Sequence, residues 1–310
     1  AGGLEFEGGL VVASNQPSGF AGLFRDTVDL AIRDLARGGL AADVVFSANE
    51  QSFRNMELDL NGELITGSLD VKRAEAGPDM RAQLRGRQLD LDAVRALSAL
   101  FLGASNAAPA RLEADLELDG LKFSGIETGE LATQFLIENG QLTVDTLALS
   151  GLEGLTVSGS GRLENWKTFE GGEFKLEING TSLSSAIARI NAFAPQFTLL
   201  DHLVDKPSLT RDADLKLDIS SVGGEDEQPL DMRLSGTAGG ATFSIVGSLP
   251  QEVSRWRDEP LNLSLRMDHS KGEIIAEQFG LATSPLADIG TLRMDFTAAG
   301  RLSSALETSL

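Results

Sequence analysis

The sequence predicts a mostly β protein: an elongated, curved antiparallel sheet of repeated strand-meander units, forming a β-groove, with a few short helices. Three observations carry this expectation. Apolar and polar residues alternate with period two through most of the chain. Asx-Gly pairs sit between alternating runs, where both turn residues need positive φ. A strand phrase closing on Gly-[Arg/Ser]-Leu also recurs, with its glycines at Gly67, Gly161, Gly247 and Gly300. Strand repeats at such long periods indicate stacking along one axis.

The elements follow in order. Met56, Leu58 and Leu60 alternate with Glu57 and Asp59, and Asn61-Gly62 turns the chain into the run 63–66. Leu112, Ala114, Leu116 and Leu118 alternate with acidic residues. Asn139-Gly140 separates the runs 133–137 and 141–144, and Asp119-Gly120 and Gly239-Gly240 are weaker turn signals. Phe174, Leu176 and Ile178, then Leu215, Leu217 and Ile219, then Leu261, Leu263, Leu265 and Met267 repeat the alternation. Short connections predict antiparallel pairing between sequence neighbours.

Three helices are expected, near 24–37, 90–102 and 182–193. Their signals are apolar stripes, Gly38-Gly39 as a stop, Asp90 as an N-cap and Pro195 past the last end. The segment 222–229 reads as an exposed hairpin loop and 103–110 as a flexible connector. The expected organisation is therefore 1–102 with two helices, the connector 103–110, a central unit 111–194 and a C-terminal unit 195–310. The chain begins within a strand pattern, which reads as a piece of a longer protein.

Bulk properties exclude several functions. The net charge of -20, from 26 basic and 46 acidic residues, excludes nucleic acid as a partner, because phosphate contacts need clustered Lys and Arg. It also opposes lying flat on an anionic bilayer. The chain has no cysteine, hence no disulfide or thiolate metal site. No apolar run is long enough to span a membrane.

A search for chemistry finds little. His202 and His269 each follow an aspartate but stand in unrelated contexts, and both read as surface residues. Gly159-Ser160-Gly161 lacks the third glycine of a dinucleotide loop and reads as a bend at a strand end. Glu225-Asp226-Glu227 lacks calcium-loop spacing. Trp166 and Trp256 read as covers over the ends of the apolar face. No catalytic residue, metal ligand or cofactor is assigned.

The candidate site is the apolar face itself. Few short helices cannot cover so many strands, so a curled sheet leaves an apolar trough with charged outer walls. The residues expected to line one shared concave face are Leu116, Phe135, Ile137, Leu142, Val144, Val157, Phe174, Leu176, Leu217, Phe243, Leu263 and Leu265. Such a trough suits an acyl chain: at roughly 0.8 kcal/mol per CH₂, a 16-carbon tail in water costs on the order of 13 kcal/mol.

The runs Leu-Asp-Gly-Leu-Lys-Phe-Ser-Gly at 118–125, Phe-Leu-Ile-Glu-Asn-Gly-Gln-Leu-Thr-Val-Asp-Thr-Leu-Ala-Leu at 135–149 and Val-Ser-Gly-Ser-Gly-Arg-Leu at 157–163 resemble the AsmA-like family of bacterial envelope proteins, to which TamB is related. Weaker copies near 56–73 and 230–250 extend the likeness. The resemblance implies a non-enzymatic, periplasmic β-groove that transfers phospholipid between inner and outer membrane and supports outer-membrane homeostasis. It also implies an inner-membrane anchor, which this chain lacks. Two alternatives stand beside it: an assembly factor pairing through a sheet edge with outer-membrane β-barrel proteins, and a polysaccharide-active β-helix enzyme. Short Asn or aliphatic ladders, the mark of a β-helix, are absent here.

Overall fold

The computed structural model describes residues 5–23, 28, 30–94, 109–123, 126–152, 154–166, 170–193, 198–221, 229–249, 259–280, 290–301 and 305–309. The fold is mostly β, with antiparallel pairing dominant and a few short helices. Contacts divide the chain into two compact units, Ala1–Leu149 and Ser150–Leu310. This division differs from the organisation expected around 103–110. Residues 103–108 lie outside the described set, and the strands on either side of that segment pair with each other.

In the first unit, β1 (Phe6–Ser14), β2 (Gly38–Phe46), β3 (Glu50–Leu60), β4 (Glu63–Lys72) and β5 (Asp79–Asp90) form an antiparallel meander. Next come β6 (Arg111–Phe123), the short β7 (Ile126–Thr128), β8 (Leu131–Glu138) and β9 (Gln141–Leu152), paired antiparallel around β6 and β8. One step departs from expectation: β5 and β6 run parallel, from Asp79↔Arg111 to Asp90↔Lys122. Parallel neighbours need a crossover rather than a hairpin, and residues 91–110 supply it. That crossover opens with a helical turn at 91–94, capped as expected by Asp90, whose Oδ1 accepts from the Ala93 N–H at 2.9 Å.

The Asx-Gly turns form where the sequence puts them. Asn61 and Gly62 have φ of 58° and 93°, and Asn139 and Gly140 have 51° and 84°. Asn61 also fixes the chain before β2, since its Oδ1 accepts from the Ala36 N–H at 2.7 Å. Gly239-Gly240 joins the strands Leu230–Ala238 and Ala241–Leu249, but Asp119-Gly120 is not a turn: it lies within β6, where Gly120 pairs with Gln88. Two register shifts preserve the apolar face. In β3 the shift falls between Phe53 and Met56, with Asn55 at φ 47°; in β9 one extra residue, Asp145, lies between Val144 and Thr146.

The second unit is an antiparallel run of β10 (Leu155–Asn165), β11 (Glu170–Ser182), β12 (Arg211–Ser221), β13 (Leu230–Ala238), β14 (Ala241–Leu249), β15 (Pro260–His269), β16 (Leu292–Arg301) and β17 (Ala305–Ser309). The recurring phrase does not always end a strand: β4 and β10 continue past Leu69 and Leu163. Gly159-Ser160-Gly161 is accordingly mid-strand and not a bend. The expected hairpin loop before β13 falls largely on 222–228, and Glu225-Asp226-Glu227 and Trp256 also lie outside the described residues.

The helices correct the sequence reading most. The helix expected at 182–193 forms as Ser184–Phe193. That expected at 24–37 is helical at Leu30–Arg33, with 24–27 and 29 outside the described residues, and that at 90–102 is described only through 94. Short helices at Pro17–Ala21, Thr198–Asp205 and Gly272–Gln278 and a 3₁₀ turn at Pro207–Thr210 were not anticipated. Two of these open with proline at the first helical position, a start signal that a single short turn makes easy to overlook.

Candidate functional site: the apolar sheet faces

In the second unit, strand register aligns the apolar residues into rows running across the strands. One row is Val157–Ile178–Leu215–Gly236–Phe243–Met267–Met294. The next is Gly159–Leu176–Leu217–Leu234–Ile245–Leu265–Phe296, and the third is Gly161–Phe174–Ile219–Met232–Gly247–Leu263–Ala298. All three rows contain only apolar residues and glycine. They gather Val157, Phe174, Leu176, Leu217, Phe243, Leu263 and Leu265 onto one face.

Cover on this face is uneven. At the helix-bearing end, Ala213, Leu215 and Ala238 form a buried cluster with Ile178, Leu183 and Phe243, while Met267 and Ala241 are buried with Ile275 of the helix Gly272–Gln278. Apart from Ala298, the second and third rows are only half-buried. Their large side chains lie sideways over neighbouring glycines. A Cβ on Gly161 would stand 2.5 Å from the Phe174 ring, and one on Gly159 would stand 2.7 Å from Leu176 Cδ2. These glycines therefore admit both a flattened neighbouring side chain and the close carbonyls of Lys175 and Glu173 on the paired strand, which leaves a low apolar layer.

The first unit repeats the pattern. Val44–Phe53–Leu69–Ala82–Ala114–Phe135–Val144 forms one row, and Leu40–Leu58–Ile65–Gly86–Leu118–Leu131–Leu149 another. Leu116, Phe135, Ile137, Leu142 and Val144 share this face and are half-buried. Ile65, Leu89, Leu118 and Leu131 form the buried cluster, with Leu91 and Val94 of the crossover packed against it.

The opposite faces are polar and ion-paired. Across the parallel β5–β6 pair, Arg81 and Arg85 bind Glu113 and Glu117 at 2.8 and 2.7 Å, and Arg111 reaches Glu113 at 2.9 Å and Glu138 at 2.7 Å. Hydrogen bonds from Arg111 and then Arg81 hold the Glu113 carboxyl below the usual carboxylate range, and the Arg85 hydrogen bond does the same to Glu117. In the second unit Arg266–Asp295 and Arg293–Asp268 are paired at 2.7 and 2.6 Å.

A hollow of about 750 Å³ in the second unit is lined largely from the polar side, by Asp218, Asp231, Arg233, Asn262 and Thr297 among others, together with Met232, Leu263 and Ala298 of the third row. Of the residues expected to line a concave face, Leu263 borders this hollow.

Chemistry-bearing groups are sparse. His202 Nε2 lies 2.6 Å from the Glu277 carbonyl, and the Lys271 N–H donates to His269 Nδ1 at 2.8 Å, so each histidine is tied to local backbone. Among the described residues, no three His, Asp or Glu side chains gather around a cation position. Trp166 is half-buried just beyond β10. Sequence reasoning omitted Ile178, Leu234, Ile245, Met294 and Phe296 from the site, although the same alternation marks them. Comparison with protein-family models, curated proteins and solved structures gave no match.

Proposed function

We propose that the apolar faces hold the acyl chains of phospholipids and that the protein acts as a non-enzymatic lipid-transfer element. The observation that carries this reading is the set of half-buried apolar rows in the second unit. Hydrocarbon laid across them exchanges water for Leu, Ile, Phe and Met contacts, and each buried CH₂ contributes roughly 0.8 kcal/mol. The rows offer no polar side chain to fix a bound chain at one position, so a tail can shift along them. In keeping with the AsmA-like resemblance, the proposal sets such transfer in the periplasm, between inner and outer membrane, with the protein held at the inner membrane by an anchor.

The test is native mass spectrometry of the purified chain, combined with crosslinking by a photoreactive fatty acid. Co-purified phospholipid and labels concentrated on β11–β15 at Leu176, Leu217, Ile245 and Leu265 are expected. Labelling of the polar face alone, or absence of both lipid and label, would overturn the proposal.

A further inference from the structure

We infer that Asn139 is a site of spontaneous deamidation, singled out by the fold from the three Asn-Gly pairs of the chain. The pairs are Asn61-Gly62, Asn139-Gly140 and Asn179-Gly180. Asparagine is thermolabile, most of all before glycine, whose backbone nitrogen no side chain hinders. That nitrogen gives its proton to solvent base and attacks the asparagine Cγ. An N–Cγ bond forms, the Cγ–Nδ2 bond breaks, and ammonia leaves with a proton returned by solvent. Water then opens the succinimide ring at either carbonyl, giving aspartate or isoaspartate. The net reaction consumes one water and releases one ammonia.

The three pairs sit in different surroundings. Asn179 and Gly180 lie inside β11, opposite Thr156 and Leu155 on one side and Asp214 and Ala213 on the other. A ladder on both sides resists the backbone rotation that attack requires. Asn61-Gly62 and Asn139-Gly140 are both turn tips with positive φ. The backbone N–H of each asparagine is bonded alike, to the Arg37 carbonyl at 3.1 Å and to the Ala110 carbonyl at 3.0 Å. The reacting groups are not alike. Asn61 Oδ1 accepts from the Ala36 and Arg37 N–H groups at 2.7 and 3.3 Å, and the Gly62 N–H donates to Asp59 Oδ1 at 2.6 Å. Electrophile and nucleophile are both held, and the Arg37 guanidinium lies against Gly62. Asn139 is exposed, and among the described residues neither its side chain nor the Gly140 N–H has a hydrogen-bond partner. A Cβ at Gly140 would have nothing within 4 Å.

Attack requires the turn to distort until the nitrogen meets Cγ. At Asn61 this breaks three hydrogen bonds that Asn139 does not make. Each lowers the population of the distorted turn by roughly twofold to tenfold, so Asn139 should react at least about tenfold faster. The product alters its hairpin. Isoaspartate carries the main chain through the former side chain, adding a methylene to the loop that sets the pairs Glu138↔Gln141 and Ile137↔Leu142.

The test holds the purified chain at mildly alkaline pH, with samples taken over days and digested at acid pH for peptide mass spectrometry. The amide-to-carboxyl mass gain should appear at Asn139, mostly as isoaspartate, with Asn61 and Asn179 intact when half of Asn139 has converted. In strong denaturant the three should convert within a few-fold of one another, because the selectivity belongs to the fold. Asp59→Ala frees the Gly62 nitrogen and should speed Asn61 several-fold while leaving Asn139 unchanged. A thermal melt checks that this variant folds; if it does not, the folded and denatured parent decide alone. Asn139 no faster than Asn61 in the folded chain, an equal preference for Asn139 in denaturant, or a folded Asp59→Ala with the parent's rate at Asn61 would each overturn the inference.

Discussion

Replacing Leu176 by glutamate tests the lipid proposal at the middle of the apolar rows. Leu176 stands between Gly159 and Leu217 and lies over Gly159. It is half-buried, so in the free protein a glutamate there still reaches water. The fold loses part of one leucine burial, roughly 1 kcal/mol, and the sheet should keep a cooperative melt. Under a bound acyl chain the same carboxylate faces hydrocarbon without a partner, at a cost of about 3 kcal/mol. At 1.4 kcal/mol per tenfold, affinity should fall roughly 100-fold. The assay is titration with a fluorescent fatty acid beside a thermal melt. The neighbouring Lys175→Glu is the control: it sits on the polar face, 68% exposed, where it loses a surface pair with Glu173 and sets a carboxylate opposite Asp218, a small and solvent-screened cost to the fold. Its affinity should stay near that of the parent. If Leu176→Glu is folded and binds as the parent does, or if both variants weaken equally, the assignment of lipid to this face is wrong.

Other expectations concern the fold. Ile65 is fully buried against Leu89, Leu118 and Leu131, so Ile65→Ala should cost about 2–5 kcal/mol in denaturant unfolding; a change near zero would mean this cluster is not the core of its unit. Gly161→Ala should destabilise by about 1–3 kcal/mol, because its Cβ would meet Phe174 Cγ at 2.5 Å and the Glu173 carbonyl at 2.6 Å; an unchanged denaturation midpoint would remove this close approach from the account. The folded-state pKa values of Glu113 and Glu117 are lowered by arginine, so their contribution is complete above the ordinary carboxylate range. It is lost as pH falls through that range to the lower folded values. Melting temperature should therefore drop on acidification, and less steeply in Glu113→Gln; identical slopes would remove the ion pairs from the account.

The face that each strand presents was legible because period two leaves no ambiguity once one side is charged, as in Asp214–Ile219. The change of phase in β9 was not drawn from the sequence, although Leu142 and Val144 are even, Leu147 and Leu149 odd, and only an extra residue can put both pairs on one face. The parallel step was not legible. Nothing in the alternation of Met80–Leu84 or Leu112–Leu116 differs between parallel and antiparallel pairing, and the decision lies in where a long connection returns. Gly159 and Gly161 were misread because a glycine that accommodates a neighbour's side chain resembles a glycine that bends the chain, and the neighbour is known only from register. The short helices escaped because a turn or two carries too few residues for a helical period to emerge.

The parallel junction of β5 and β6 also sets the order in which the first unit can assemble. β3–β4 and β8–β9 can zip from their Asn-Gly turns within microseconds, each closing a two-residue loop. The β5–β6 ladder has no such seed. It must first bring together strands separated in sequence by residues 91–110, and each added residue of separation slows contact formation. Two local hairpin systems should therefore form early and join late, leaving the β5 and β6 edges briefly bare. Pulsed hydrogen exchange during refolding should protect the amides of Ile65 and Thr143 before that of Glu117. Simultaneous protection would show that the crossover is already organised when the hairpins form.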